Sequence, residues 1–298
     1  MVVNVTIGTP GQSLVAWLNQ EGFYNDLKVP DSRTGGTFDP SASTTFVKTG
    51  DYYDYDGKTI IGVIGTDNFQ IGNGESKNKS FKVTNIQSGF DEDFGQIGFA
   101  RSNNNSASFI ESILSDLDEK IVVFSFDSVQ GQYPTLSSGM ITLGSRPADR
   151  CADDWIVVPE HVYDDETFEQ WAVEIDELSI GKYSYTQPGQ TLISFFESSI
   201  IVPETYYDQI CNALHVDGMG NVDCDIQTEI VFTIGKQEIR MPPEEYLVQS
   251  SQSGNCVVNI EVRFGSENFV LPSYVLRRHC LLYDYSGINV GFSTRLPH

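Results

Sequence analysis

The sequence predicts a mostly β protein built from two related lobes, and three observations support this prediction. Its 26 glycines, 12 prolines and 12% aromatic residues suit strands and turns better than a helical bundle. Apolar residues alternate over short runs that turn residues separate, which is the period of half-buried strands. Two stretches of similar pattern, residues 16–22 and 192–203, lie about half a chain apart. A chain of 298 residues is long enough for two such lobes, each with its own core.

The first half of the sequence predicts strands followed by one helix. Residues 3–7 alternate apolar and polar side chains, and residues 14–18 form an apolar strand. Asp56-Gly57 lies between two strand-forming runs, which is a strong hairpin signal. Residues 107–117 carry apolar side chains at helical spacing, so a short helix is expected there.

The second half predicts the same plan, with one short helix at residues 206–214. Strands are expected at residues 171–180, 192–202, 230–234 and 281–292. The run from 145 to 150 is the best linker candidate. We therefore expect an N-terminal lobe at residues 1–147 and a C-terminal lobe at residues 148–298.

Charge and composition exclude several classes of partner. The chain has 41 acidic and 18 basic residues, and its net charge of −23 repels phosphate backbones and anionic lipid surfaces. No apolar run approaches the ~20 residues that a membrane-spanning helix needs. We therefore expect neither a nucleic-acid partner nor membrane insertion. The four histidines lack metal-ligand spacing and no phosphate-binding loop occurs in the sequence, so neither a metal nor a cofactor is predicted.

Three N-glycosylation sequons begin at Asn4, Asn78 and Asn104. The chain also has five cysteines, none of them in a Cys-x-x-Cys pair. Together these features favour a secreted, extracellular glycoprotein whose signal peptide and propeptide have been removed. An intracellular location is the alternative.

Short motifs occur in a fixed order along nearly the whole chain. In the first half they are Ile7-Gly8-Thr9-Pro10-Gly11-Gln12, Phe38-Asp39-Pro40-Ser41, Tyr55-Asp56-Gly57 and Gly95-Gln96-Ile97-Gly98. In the second half they are Ile230-Val231-Phe232-Thr233-Ile234-Gly235, Met241-Pro242-Pro243 and the tail from Val275 to Phe292. In this order they resemble the pepsin-like (A1) aspartic proteases, in particular the nematode branch. The resemblance implies an all-β bilobal fold with minor helices and a central cleft under a flap hairpin, with Tyr55 at the flap tip.

The sequence departs from this family where its chemistry is carried out. The family's reaction needs one aspartate from each lobe, and the two share a proton so that one is base and the other acid, as in pepsin. Asn19 and Phe195 stand at the corresponding positions, and the glycine of each Asp-Thr/Ser-Gly triplet has become Glu21 or Glu197. An asparagine amide cannot accept the proton, and phenylalanine has no polar atom. We therefore expect a catalytically inactive homologue, a pseudoprotease.

Three functions remain open from the sequence. In the first, the cleft binds a protein or peptide without cleaving it, and Tyr55, Glu21, Glu197 and Ser199 are the candidate contacts. In the second, Phe195 and Phe196 plug the cleft and outer surfaces engage the partner. The third, a residual hydrolase that uses Glu21 and Glu197, requires geometry that the triplet does not provide. The oligomeric state stays open.

The resemblance also implies how the cysteines pair. Cys224 and Cys256 correspond to the usual disulfide of the second lobe, and Cys151 and Cys280 match cysteines of nematode-like members. Cys211 is then left over, either as a buried free thiol or as an intermolecular bridge.

Overall fold

The chain is mostly β, as the sequence predicts. The computed structural model describes residues 2–19, 26–28, 38–53, 59–72, 74–84, 95–102, 108–127, 138–161, 171–195, 197–249, 254–265 and 267–297. Within these ranges it has 22 strands and three short α-helices, so the predicted all-β class with minor helices is confirmed. No helix in the described ranges is long and apolar enough to span a bilayer.

The described residues form two compact units, one from residues 2–120 and one from residues 121–161 and 171–297. The first unit contains β1 (Val2–Ile7), β2 (Gln12–Asn19), β3 (Asp26–Lys28), β4 (Val47–Tyr53), β5 (Ile60–Ile71), β6 (Gly74–Thr84), β7 (Gly95–Gly98) and α1 (Phe109–Leu114). Its strands are hydrogen-bonded in the order β1-β2-β7-β3-β6-β5-β4, and β1 also pairs with β5. One face of this sheet is buried, which explains the alternating burial along β5.

The second unit holds the remaining elements. Its strands are β8 (Ile121–Asp127), β9 (Ser138–Leu143), β10 (Ile156–Pro159), β11 (Ala172–Ile180), β12 (Tyr183–Ser194), β13 (Ile200–Val202), β14 (Asn221–Val222), β15 (Ile230–Ile234), β16 (Gln237–Met241), β17 (Leu247–Gln249), β18 (Cys256–Val258), β19 (Ile260–Val262), β20 (Phe269–Pro272), β21 (His279–Asp284) and β22 (Asn289–Thr294). Its helices are α2 (Glu204–Ala213) and α3 (Pro243–Tyr246). They form sheets in the orders β10-β22-β21-β8-β9, β16-β15-β11-β12-β20-β13-β19 and β14-β18-β17.

The two predicted helices lie where the apolar period places them. Ser108 caps α1 by accepting a hydrogen bond from the Glu111 N–H, and the apolar face of the helix is buried. The expected helix at residues 206–214 corresponds to α2, which begins two residues earlier, directly after Pro203.

Two details differ from the sequence-based expectation. The expected strand at residues 192–202 is broken, because β12 ends at Ser194 and β13 begins at Ile200. Residues 121–127 and 138–147 belong to the second compact unit, whereas the sequence places them in the N-terminal lobe. The reason is that β8 is hydrogen-bonded to β21, so a strand from mid-chain pairs with one near the C-terminus.

Both expected disulfides are present, and both lie within the second unit. Cys151 is bonded to Cys280 on β21 across a Cα–Cα distance of 6.0 Å, and Cys224 is bonded to Cys256 on β18 across 5.2 Å. Cys211 on α2 is a free, partly exposed cysteine. Each bridge removes conformational freedom from the unfolded chain, and the effect is larger for the first because it spans 129 residues.

A buried carboxyl group lies on α3. Glu245 is only 7% exposed, and one of its oxygens has no hydrogen-bond partner. Burial raises the pKa of Glu245 to about 7, although the nearby Arg278 guanidinium, 3.8 Å away, acts in the opposite direction. Burial outweighs the attraction because Arg278 is itself half exposed and its charge is screened by water.

Replacing Glu245 by glutamine is expected to make stability less sensitive to alkaline pH. The folded-state pKa of Glu245 lies above the ordinary glutamate value of 4.5, so the wild-type stabilisation is complete below pH 4.5 and is lost as the pH rises to about 7. Glu245→Gln should therefore exceed the wild type in unfolding free energy at pH 8, by up to about 3 kcal/mol, but not at pH 4. Urea unfolding at both pH values measures this difference. Glu244→Gln, an exposed neighbour of the same Arg278, is the control and should show no such dependence.

Candidate functional site

In the first unit, Asn19 is the last residue of a strand. β2 pairs in parallel with β7, and Asn19, the last residue of β2, lies opposite Gly98. The Asn19 side-chain N–H donates to the Gln96 Oε1 at 3.0 Å, and the backbone carbonyl of Asn19 accepts the Phe99 N–H at 2.7 Å. The amide is therefore held in a hydrogen-bonded position at the strand end, where it can bind and orient but cannot exchange a proton.

In the second unit, the same arrangement recurs with different residues. β12 pairs in parallel with β20, and Ser194, the last residue of β12, lies opposite Pro272. The hydroxyl oxygen of Ser194 accepts the Glu197 N–H at 3.1 Å. By strand register Ser194 occupies the place that Asn19 has in the first unit, and Phe195 follows one residue later. Sequence reasoning missed Ser194, since the register depends on a strand far away along the chain.

Phe195 is part of the apolar core of the second unit. Its side chain is 7% exposed, and its ring centroid lies 4.8 Å from that of Phe124 and 5.9 Å from that of Phe126, both on β8. The cluster continues through Tyr283, which contacts Phe124 and stacks on Trp171 at 4.6 Å. Such ring contacts each contribute about 0.5–1.5 kcal/mol beyond the area that they bury. The position that the motif comparison equates with the second aspartate is therefore a packing position.

The two polar candidates after Phe195 are engaged in different contacts. The Glu197 carboxylate pairs with the Arg263 guanidinium at 2.8 Å, and both side chains are partly exposed. Ser199 is buried and donates to the Glu261 carboxylate at 2.6 Å, with the Asn259 side-chain oxygen at 3.1 Å. Glu197 is thus accessible to a ligand, whereas Ser199, directly before β13, bonds to Glu261 of β19 and is structural.

The remaining candidates lie outside the described residues. These are Glu21, Tyr55, Phe196 and Asn104, together with the Asp56-Gly57 turn. The strands on either side of that turn are described, and Tyr53 of β4 pairs with Ile60 of β5. In the described ranges, no group of three or more His, Cys, Asp or Glu side chains could hold a metal ion.

Comparison with known proteins identifies the family to which the chain belongs. The family model "Eukaryotic aspartyl protease" matches residues 2–295. The chain belongs to this family. It is 25% identical to a rabbit (Oryctolagus cuniculus) gastricsin over 97% of this chain and 80% of that protein. It is 24% identical to aspartic protease 6 of Caenorhabditis elegans over 98% of this chain and 81% of that protein. A vacuolar protease A from Arthroderma otae is 23% identical over 97% and 76%.

Family membership confirms the resemblance drawn from the motifs and, with the mostly β architecture, the expected pepsin-like fold. The relatives come from a mammal, a nematode and a fungus. The similarity therefore establishes the family and not a nematode branch of it. The sequence differs from the family pattern in having no Asp-Thr-Gly or Asp-Ser-Gly triplet.

Phe195→Asp is expected to destabilise the second unit without creating a protease. The new carboxylate would lie against Phe124 and Phe126, where burying a charge without a partner is unfavourable and the ring contacts are lost. We expect a loss of about 3–5 kcal/mol in unfolding free energy, measured by urea denaturation. Phe195→Leu, which keeps an apolar side chain, should lose less than half as much. Equal losses for the two variants would contradict the packing role.

Proposed function

We propose that this chain is a catalytically inactive member of the aspartyl protease family that binds a protein or peptide partner. The observation that carries the proposal is the identity of the residues at the two strand ends, Asn19 in one unit and Ser194-Phe195 in the other. Strand register selects Ser194 as the second position and motif comparison selects Phe195, and neither Asn19 nor either of these residues is a carboxylic acid. Without two such groups the family's acid–base chemistry has no base and no acid.

The nearby glutamates do not replace the missing pair. Glu197 forms an ion pair with Arg263 at 2.8 Å, so its carboxylate is already engaged in a contact within its own unit. Its neighbour Phe195 is in the core, so the chain at this point turns an apolar ring inward instead of placing an acid beside a water molecule. These contacts argue against a residual hydrolase.

The same contacts leave groups that suit binding. Glu197 and Arg263 are both partly exposed and together offer a carboxylate and a guanidinium to a ligand. Peptides present amides and charged side chains that such groups can bind. Tyr55, the flap tyrosine implied by the family resemblance, is the second candidate contact. A binding module of this kind needs neither metal nor cofactor.

The alternative, an outer-surface scaffold with a plugged cleft, is weakened by the position of one ring. Phe195 contacts β8 of its own unit, so its burial is explained by core packing. A plug would then depend on Phe196 alone.

The secretory pathway is the compartment that the proposal includes. Two disulfides in the second unit form and persist under oxidising conditions. We place the protein there as a secreted, extracellular protein.

The purified chain is expected to leave an unfolded protein substrate intact from pH 2 to pH 8. Asn19→Asp combined with Ser194→Asp or with Phe195→Asp should not restore cleavage, because the glycines beside the family's aspartates are absent as well. Peptide mass spectrometry after prolonged incubation measures cleavage, with an active pepsin as positive control. Pepstatin-sensitive cleavage by the wild-type chain would overturn the proposal.

Binding is tested separately, with a partner that is first identified by affinity capture from source extract and then purified. Tyr55→Ala and Glu197→Ala should each weaken its affinity at least tenfold by isothermal calorimetry. Tyr183→Ala, an exposed tyrosine on β12, is the matched control and should bind as the wild type does. If the Tyr55→Ala and Glu197→Ala variants both bind with unchanged affinity, the outer-surface scaffold is the correct function.

A further inference from the structure

An open groove lies beside the first strand of the chain, and none of the contacts proposed for partner binding line it. Its volume is about 480 Å³, and Asn4, Thr6, Ser13, Val15, Gln70 and Gly72 are among the residues that line it. All of them belong to the first unit, on β1, β2 and the end of β5. The groove thus follows the solvent face of the sheet where β1 is hydrogen-bonded to both neighbours.

The sequon Asn4-Val5-Thr6 opens onto this groove. Strand alternation turns Val5 and Ile7 into the core, where they are 2% and 0% exposed. Asn4 and Thr6 therefore share the opposite face, and Asn4 is exposed. The two side chains that glycosylation requires, the acceptor amide and the hydroxyl two residues later, are on the same accessible face of one strand.

The surroundings of Asn4 suit a sugar ring. Val15 lies directly opposite Asn4 in the β1–β2 pairing and offers an apolar surface to the C–H groups of a pyranose. Thr6 lies between Ser13 on one side and Gln70 on the other, so hydroxyl and amide groups line the groove. The Gln70 amide is held by a hydrogen bond of 3.0 Å to the Gly72 carbonyl.

We propose that Asn4 carries an N-linked glycan and that its first N-acetylglucosamine lies in this groove. In the transfer, the Asn4 side-chain nitrogen loses a proton and bonds to the anomeric carbon of the sugar. The polyprenyl pyrophosphate that carried the oligosaccharide leaves with the electron pair of the broken C–O bond. The proposal rests on the secretory route included in the proposed function, but not on the loss of catalysis.

Of the other two sequons, Asn78 is the one within the described residues, and it does not combine these features. Asn78 is exposed but has a φ of 54°, in the left-handed region, within a strand that pairs irregularly with β5. It does not line the groove beside β1. Asn104 lies outside the described residues. Asn4 is therefore the sequon for which the described part of the chain provides a surface that a sugar can contact.

Attachment is tested by secreting the chain from a glycosylating eukaryotic cell and mapping its peptides. We expect amidase (PNGase F) treatment to convert Asn4 to aspartate, which marks it as a former glycan carrier. Thr6→Ala should abolish the modification and Thr6→Ser should keep it, while Asn78→Gln should leave it unchanged. An unmodified Asn4 in the secreted wild-type protein would overturn the proposal, whatever the protease assays show.

The position of the sugar is tested by stability. Endoglycosidase treatment leaves a single N-acetylglucosamine, and we expect this form to melt about 2 °C above Asn4→Gln by calorimetry. Val15→Ala should reduce that difference in melting temperature, because the Val15 side chain contacts the sugar only in the form that carries it. Equal melting temperatures of the trimmed protein and Asn4→Gln would show that the sugar does not lie in the groove.

Discussion

Aromatic packing on β8 constrains the chemistry that the second unit can carry. Phe124 and Phe126 point to one face of this strand, and Phe195 completes their contact from the end of β12. A carboxylate cannot share such surroundings without a counter-charge. Phe195 therefore extends the apolar core of the second unit, and an acid introduced at this position would disrupt that packing.

The same strand pairing occurs in both units. In each, a strand that ends at the position of interest pairs in parallel with a later strand, β2 with β7 and β12 with β20. Parallel pairing sets the register of the strand end, so the backbone can be retained while the side chains change. At these strand ends the Asn19 side chain donates to the Gln96 side chain, and the Ser194 hydroxyl oxygen accepts the backbone N–H of Glu197.

Local pattern was enough to predict much of the fold. The apolar period at residues 107–117 and 206–214 led to helices that the structure contains, and the strand at 230–234 was predicted with its limits. What local pattern could not supply were pairings between distant strands. The β8–β21 pairing decides which unit residues 121–127 join, and the β12–β20 register identifies Ser194. The break after Ser194 was hidden because Phe195 and Phe196 continue an apolar run that resembles a strand.

The unpaired Cys211 bears on how the protein acquires its disulfides. Burial raises the pKa of the Cys211 thiol, and the charge of Asp208 adds to this effect. Only the thiolate attacks a disulfide, so at neutral pH this cysteine is a slow nucleophile. A raised thiol pKa slows exchange of Cys211 with the Cys224–Cys256 and Cys151–Cys280 bridges. An odd number of cysteines can thus persist in an oxidising compartment without scrambling the native pairs.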